Sequence, residues 1–489
     1  MQIKKVLYPA VRRAIALSSN LSVKPDPHLD PLPPADGVEV SLIVPVYNGM
    51  PYFEALLASL EAQDLDSSRF EVIVVDDGST DGTVAVADSF ADRNTNFSVI
   101  HQANSGWPGT PRNRGMERAT GRYLFFADAD DILGKKSLRR LVDFANIHHS
   151  DVVLPEMIGL AGRGIPSRIY LRTRVDAPLS LAFKTFTPHK LIRRDLVESN
   201  ALRFPEGKVR LEDGIFLSQV YLKAHRVSIL AGYNYYYLRR RTEGSNISSG
   251  GLGGAVYVSS VNRIAQIIAD GVADKREREE LILTLFAMKC LKIYRPERFR
   301  GYSLQLKREW LEAHREFAER WIPPELEARM HPPSAALTAL IRQGDLEGIL
   351  RRDGGPVTPQ TSARIRTISR DHEEFALVIE LDVLPQQAAL GDGVLLVTHR
   401  ESGRTLPPSP PTAETPATAG PRRSFRAGIP VSELNENGTY DLHFSIPVEG
   451  HDIRSRVGIP AEVHCPGPAA GREAYRTVNG NLSLRVRAV

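Results

Sequence analysis

The chain has only two cysteines in 489 residues, Cys290 and Cys465. They are far apart and lack metal-type spacing, which argues against a disulfide framework and fits a reducing compartment. No apolar run approaches the roughly 18 residues that a membrane-spanning helix needs, so the sequence reads as one that does not cross a bilayer. A surplus of either charge is also lacking: 62 Lys and Arg stand against 58 Asp and Glu, a formal net charge of +4. That balance excludes a polycation and leaves local clusters to carry any anion recognition. With 42% hydrophobic and 25% charged residues, the composition is that of a globular protein. The length allows two or three domains, each with its own core.

The first residues stand apart. Ile3, Val6, Leu7, Ala10, Ala14 and Leu17 recur at helical spacing, with Lys4, Lys5, Arg12 and Arg13 mostly on other faces. Arg12 and Arg13 interrupt the apolar stretch, against a signal peptide. A short basic amphipathic helix over residues 1–18 either rests on an anionic membrane surface or packs on the protein itself. Pro25, Pro27, Pro31, Pro33 and Pro34 then make a stiff linker, which closes a segment 1–37.

From residue 38 the pattern becomes α/β. Ser41 to Val46 is a continuous apolar strand ended by Tyr47-Asn48-Gly49, and Phe53, Leu56, Leu57 and Leu60 form the stripe of the next helix. Glu71 to Val75 is a second strand, closed by the turn Asp76-Asp77-Gly78-Ser79-Thr80-Asp81-Gly82. Phe97 to His101 is a weaker third, and Pro111 opens a helix bearing Arg112, whose amino end suits phosphate. Such alternation predicts parallel strands joined by right-handed crossovers. Tyr123 to Ala127 is a buried strand that stops abruptly at Asp128, Asp130 and Asp131. Acids at the carboxyl edge of an open α/β sheet lie where ligands bind. Three within four residues repel one another unless neutralised, and hard oxygen donors suit Mg²⁺ or Mn²⁺. We read Asp128-Ala129-Asp130 as a metal site for a diphosphate; the bland alternative is that Asp130 or Asp131 caps a following helix.

SLIVPVYNG, VVDDGSTDGT, SGWPGTPRNRGMERATGRY and FFADADD, in that order over about ninety residues, resemble the family 2 glycosyltransferases of the GT-A fold. The resemblance implies that Pro45, Tyr47 and Asp77 contact a nucleoside, with Asp76 able to replace Asp77, and that Arg112 helps the base or the diphosphate. It implies that Asp128 serves the ribose and, with Asp130, a divalent metal. Glu212-Asp213 matches the position of the family's acidic motif, which makes Asp213 the base that takes the acceptor's proton and Glu212 its helper; the bland reading is a helix cap. Tyr233 to Tyr237 then lead into Arg239, Arg240, Arg241 and a loop with Ser245, a run suited to a leaving diphosphate or an anionic acceptor.

Residues 255–355 read as helices. Lys289, Lys292, Arg295, Arg298 and Arg300, interleaved with Tyr294 and Phe299, suggest stacking on a nucleic acid, but Glu297 and nearby acids favour a solvated face, and no nucleic acid is expected. In 356–489 the alternation of Phe375, Leu377, Ile379, Leu381 and Val383, and of Tyr440, Leu442, Phe444 and Ile446, predicts an antiparallel β-sandwich of immunoglobulin-like kind, with a proline-rich loop over 407–421.

Residues 40–249 look most like the bacterial enzymes that glycosylate polyol-phosphate teichoic acids. The resemblance implies an inverting, metal-dependent transfer from a UDP-sugar, such as UDP-N-acetylglucosamine, to an anionic cell-envelope glycopolymer. It further implies a homotrimer built through the C-terminal β-domain, with polymer binding as that domain's competing role, and a cytoplasmic place, where the basic segment 1–18 would give any peripheral contact with the membrane. The rivals are a capsular or exopolysaccharide transferase with a lipid-linked or saccharide acceptor, and a catalytically silent polymer-binding scaffold.

Overall fold

A computed structural model describes residue 32 and residues 37–165, 167–240, 253–352, 354, 357–386, 388–413 and 422–487. The N-terminal helix, Arg241, Ser245 and residues 414–421 of the proline-rich loop lie outside them. The chain forms two compact units: one takes the described residues through Cys290 together with Arg320–Met330, the other Leu291–Glu319 and the described residues from His331 onward.

In the first unit, β1 (Val40–Val46), β2 (Phe70–Asp76), β3 (Phe97–His101) and β4 (Tyr123–Phe126) are neighbouring parallel strands of a seven-stranded sheet. Its order is β3-β2-β1-β4-β8-β6-β9, with β6 at Val152–Pro155, β8 at Leu191–Arg193 and β9 at Val227–Leu230. All seven residues of β1 are buried, which explains why the strand reads as unbroken apolar sequence. Helix α1 (Phe53–Glu61) buries Phe53, Leu56, Leu57 and Leu60, each such side chain contributing on the order of 2 kcal/mol. Helices α2 (Thr83–Arg93), α3 (Gly109–Arg118), α4 (Ser137–His148) and α5 (Glu212–Lys223) complete the layers. Helix α3 rides close on β1, because a Cβ at Gly115 would collide with Ile43.

The register pairs Val46 with Asp76 and Asp76 with His101, so the turns that end β1, β2 and β3 share one edge. A second, three-stranded sheet stands at that edge: β10 (Tyr236–Arg239) runs between β5 (Ile132–Leu133) and β7 (Met157–Leu160). This unit also holds α6 (Gly254–Gly271), which packs on α5, and α7 (Lys275–Lys289), capped by Asp274 accepting from Glu277 N at 2.7 Å.

In the second unit, helices at Pro332–Gln343 and Leu346–Arg351 accompany nine strands, β11 (Gln360–Arg370), β12 (Glu374–Leu384), β13 (Val394–His399), β14 (Thr412–Ala413), β15 (Arg422–Pro430), β16 (Gly438–Val448), β17 (His451–Gly458), β18 (Arg472–Arg476) and β19 (Leu482–Val486). Pairing is antiparallel except between β11 and β17. Phe425 on β15 and Phe444 on β16 are not on neighbouring strands, yet their rings lie 5.0 Å apart, so the sheet folds over on itself around one core. Arg308 Nε and Nη2 bond Asp382 at 2.9 and 3.2 Å, and Lys307 Nζ bonds Gln360 Oε1 at 2.8 Å, so residues before the β-domain are built into it. Tyr294 and Phe299 are buried here, which removes the stacking surface that the basic region suggested.

Candidate active site

The edge where β1 and β2 end is laced by short polar side chains. Pro45 is buried within β1, and Tyr47, just beyond the strand, is 49% exposed. Asn48 is in the left-handed region at φ 48°, a conformation that asparagine tolerates. It accepts from Thr80 N at 2.8 Å and donates its own N–H to Ser79 Oγ at 2.9 Å, while Gly49 N donates to Thr83 Oγ1 at 2.9 Å. Asp76 and Asp77 are both buried. Asp77 receives Gln102 Nε2 at 2.6 Å and, from Ser105, the backbone N–H and the hydroxyl, each at 2.9 Å. Asp76 receives Ser79 N at 3.2 Å and faces His101 Nδ1 at 3.4 Å. Asp77 thus ties the loop after β3 to the turn after β2, and Asp76 shapes its own turn.

The centre of the site is Arg112 on α3. Its guanidinium is buried and donates to Asp213 Oδ1 at 2.6 Å, Asp128 Oδ1 at 3.0 Å and Glu212 Oε1 at 3.4 Å. The arginine expected on a base or diphosphate is, in this structure, the shared counter-ion of three carboxylates. Burial works against its charge, but Asp213, Asp128 and Glu212 outweigh it and hold the guanidinium firmly protonated. Burial also lifts Asp213 well above the usual carboxylate range against the pull of Arg112, and the neighbouring Glu212 and Asp128 add to the rise. Asp128 is held low: burial opposes this, while His189 and Arg112 favour the carboxylate. Asp213 is not a helix cap, since α5 begins at Glu212 with Leu211, at φ 55°, as its N-cap.

Asp130 and Asp131 do not cap a following helix either, because β5 comes next. Asp131 Oδ1 accepts from Arg239 N at 2.7 Å, and Asp130 contributes its backbone oxygen to Arg239 Nε at 2.9 Å. Arg239 is buried, with its guanidinium over the Tyr52 ring at 5.2 Å, and Arg240 is exposed. Among the described residues, the acid and histidine side chains that converge as metal ligands are Asp128, Asp131 and His189, with ligand atoms within 4.8 Å of one another. Asp130 is not in this group.

His189 lay outside our reading of the sequence. Nothing in Thr187-Pro188-His189-Lys190 distinguishes it from an ordinary loop histidine; it reaches the acids only because β8 follows it and pairs with β4. Its Nδ1 lies 3.2 Å from the Phe126 carbonyl, its Nε2 lies 3.5 Å from Asp128 and 3.8 Å from Asp131, and its ring stacks on Tyr236 at 4.2 Å. Burial lowers its pKa to about 4 despite Asp128. The ring is therefore neutral at pH 7, donates from Nδ1 to the carbonyl, and turns the Nε2 lone pair to the carboxylates, which is the tautomer a metal ligand needs. Two carboxylates and one neutral imidazole fit a divalent cation of the Mn²⁺ or Mg²⁺ type. We expect His189→Ala to weaken Mn²⁺ binding by about tenfold or more, read by titration calorimetry; an unchanged affinity would remove His189 from the ligand set.

Acids and a cation are thus joined across α3, the chain just after β4, and α5, near the edge where β1 and β2 end. Residues 41–185 match the family described as Glycosyl transferase family 2. The chain thus carries a glycosyl transferase family 2 domain over those residues. Residues 254–352 match the Glycosyl transferase TarS linker domain. The chain is 33% identical over 317 residues to the poly(ribitol-phosphate) beta-N-acetylglucosaminyltransferase TarS of Staphylococcus aureus (strain MW2), covering 63% of this chain and 54% of that protein. It is 30% identical over 322 residues to the poly(ribitol-phosphate) beta-glucosyltransferase of Bacillus spizizenii, covering 64% and 50%. The chain thus spans about half the length of these curated relatives. Among solved structures, S. aureus TarS 1-349 in complex with UDP-GlcNAc superposes with a TM-score of 0.59 at 28% identity, over 70% of this chain and 96% of that one. The crystal structure of S. aureus TarS matches in fold over 92% of this chain and 86% of that one, with a TM-score of 0.56 at 22% identity. Among the described residues no helix is long and apolar enough to cross a membrane.

Proposed function

We propose that the chain is an inverting, metal-dependent glycosyltransferase that moves N-acetylglucosamine from UDP-GlcNAc to a hydroxyl of a polyol-phosphate polymer of the cell envelope. The observation that carries the reading is the three-way hold of Arg112 on Asp213, Asp128 and Glu212. It sets a carboxylate of raised basicity beside an acid group fit for a metal, within one α/β edge. Asp213 takes the proton of the acceptor hydroxyl as that oxygen attacks the anomeric carbon; the bond to the diphosphate breaks and UDP leaves from the opposite face. Glu212 positions the acceptor. Tyr47, with Pro45 behind it, and the turn of Asp76 and Asp77 take the nucleoside, and Arg239 and Arg240 face the anionic side of the donor. A divalent cation, Mn²⁺ or Mg²⁺, held by Asp128, Asp131 and His189 would supply charge neutralisation for the diphosphate. The β-domain serves as the module of assembly into a homo-oligomer, as the sequence resemblance implies.

The test is a panel of sugar nucleotides with Mn²⁺ or Mg²⁺, with and without poly(ribitol phosphate), following UDP release and polymer mass. The expected result is UDP release from UDP-GlcNAc that the polymer stimulates, with a matching gain in polymer mass. UDP binding without release, for every donor and for neutral saccharide acceptors as well, would replace the enzyme by a nucleotide-binding scaffold.

A further inference from the structure

Next to Arg112 lies a group that the transfer chemistry above leaves unused. The segment Gly106-Trp107-Pro108-Gly109 leads into α3, and the segment Phe204 to Leu211 leads into α5. The two are packed together: a Cβ at Gly109 would collide with the Pro205 carbonyl, and Asn113 Nδ2 donates to Phe204 O at 3.0 Å. Lys208 Cε comes within 3.9 Å of where a Cβ on Gly106 would stand, and Arg210 Cζ lies 5.9 Å from the centre of the Trp107 ring. Trp107 Nε1 is buried and has no hydrogen-bond partner among the described residues. An indole N–H withdrawn from water without an acceptor costs about 1–3 kcal/mol, and such groups ordinarily find a partner.

We propose that Trp107, Lys208 and Arg210 form a subsite for phosphate oxygens, and that it takes a phosphodiester of the acceptor polymer. The inference rests on the glycosyl-transfer reading and names the part of the acceptor that this site grips. An ammonium, a guanidinium and an indole N–H are all donors, two of them cationic, and tetrahedral phosphate offers several acceptor oxygens at once. Glu206, the acid within this stretch, accepts from Asn113 Nδ2 at 2.9 Å and is thereby directed to α3. Arg210 precedes the base Asp213 by three residues, a span of at most about 10 Å. Ser105, two residues before Trp107, is anchored on Asp77. A polymer phosphate held here is thus within one short step of the base. The donor's diphosphate offers the same chemistry, so the experiment separates the two sources.

The full chain and its K208Q/R210Q and W107F variants are titrated with ribitol-phosphate oligomers, with dextran as the uncharged control, and with UDP in the presence of Mn²⁺. We expect the double variant to bind the oligomer about tenfold more weakly, with less sensitivity to salt, and W107F, which keeps an aromatic ring of smaller size and loses the N–H, to show a smaller loss. R210K restores part of the affinity. A loss of UDP affinity with unchanged oligomer binding assigns the phosphate to the donor. Unchanged affinity for both overturns the subsite. Lys208 is exposed, so K208Q alone supplies a variant that folds. Weaker oligomer binding by the variants of a protein that transfers no sugar would sink the transferase reading and keep the subsite; normal binding by the variants of an active protein would sink the subsite alone.

Discussion

Asp213→Asn is expected to lower sugar transfer by about 10²–10⁴-fold, the usual worth of a positioned general base, while UDP still binds in the presence of Mn²⁺. The amide is nearly isosteric with the carboxylate and can still face Arg112 through its oxygen, so the fold and the donor side are preserved, and the proton acceptor is gone. The pH profile offers a second readout. Asp213 is raised well above the ordinary carboxylate range, chiefly by burial, with Glu212 and Asp128 adding to the effect of Arg112's incomplete compensation. Its base form is lost as pH falls through that raised pKa, so the acid limb of kcat/KM should lie above the pH range where ordinary carboxylates titrate. Turnover by Asp213→Asn within a few-fold of the wild type, or an acid limb near pH 4, would remove Asp213 from the role of base.

Arg112→Met has the largest expected effect on stability. Removing the guanidinium leaves Asp128, Glu212 and Asp213 facing one another without their shared cation. Breaking a buried pair by deleting one partner costs about 3–5 kcal/mol, and here three acids lose the same partner. The folded-state pKa values of Asp128 and Asp213 should then stand above the unfolded ones. In that window the native state binds more protons than the unfolded state, so stability falls as pH rises. The variant should accordingly be least stable at pH 8 and recover as pH is lowered toward 5, as followed by urea unfolding. Wild type should show a smaller fall over this range, since only Asp213 of the pair is raised there while Arg112 helps hold Asp128 low. Mn²⁺ should restore part of the loss by returning a cation to Asp128. A variant within about 0.5 kcal/mol of wild type at pH 8 would mean that water, not Arg112, compensates the acids.

Much of the architecture was legible in the residues themselves. β1 and β2 are apolar because both faces of the sheet are covered, and the turns that end them carry the Gly, Asn, Asp and Ser that such chain reversals use. In the β-domain, strict alternation from Phe375 to Val383 became alternate burial along β12, since one face of that strand meets the core. The parallel pairing of β11 with β17 joins residues about ninety apart in the chain, and no period in the sequence announces it.

The candidate site was legible as a set of residue types and much less as a set of contacts. Acids at the ends of β2 and β4 and at the start of α5 are visible from the order of strands and helices, because parallel strands deliver their carboxyl ends to one edge. The partners of those acids depend on elements that pair at a distance. The β5 to β10 pairing carries Arg239 from more than a hundred residues away onto Asp130 and Asp131, and the β4 to β8 pairing carries His189 onto Asp128 and Asp131. The sequence by itself thus determined the alternating α/β layers, the alternating β-domain and the acids along one edge, since these follow from local periodicity. The tertiary structure alone decided that Arg112 serves three carboxylates and that His189 joins Asp128 and Asp131, because a side chain's partner at a sheet edge is set by long-range strand order, which no local spacing encodes.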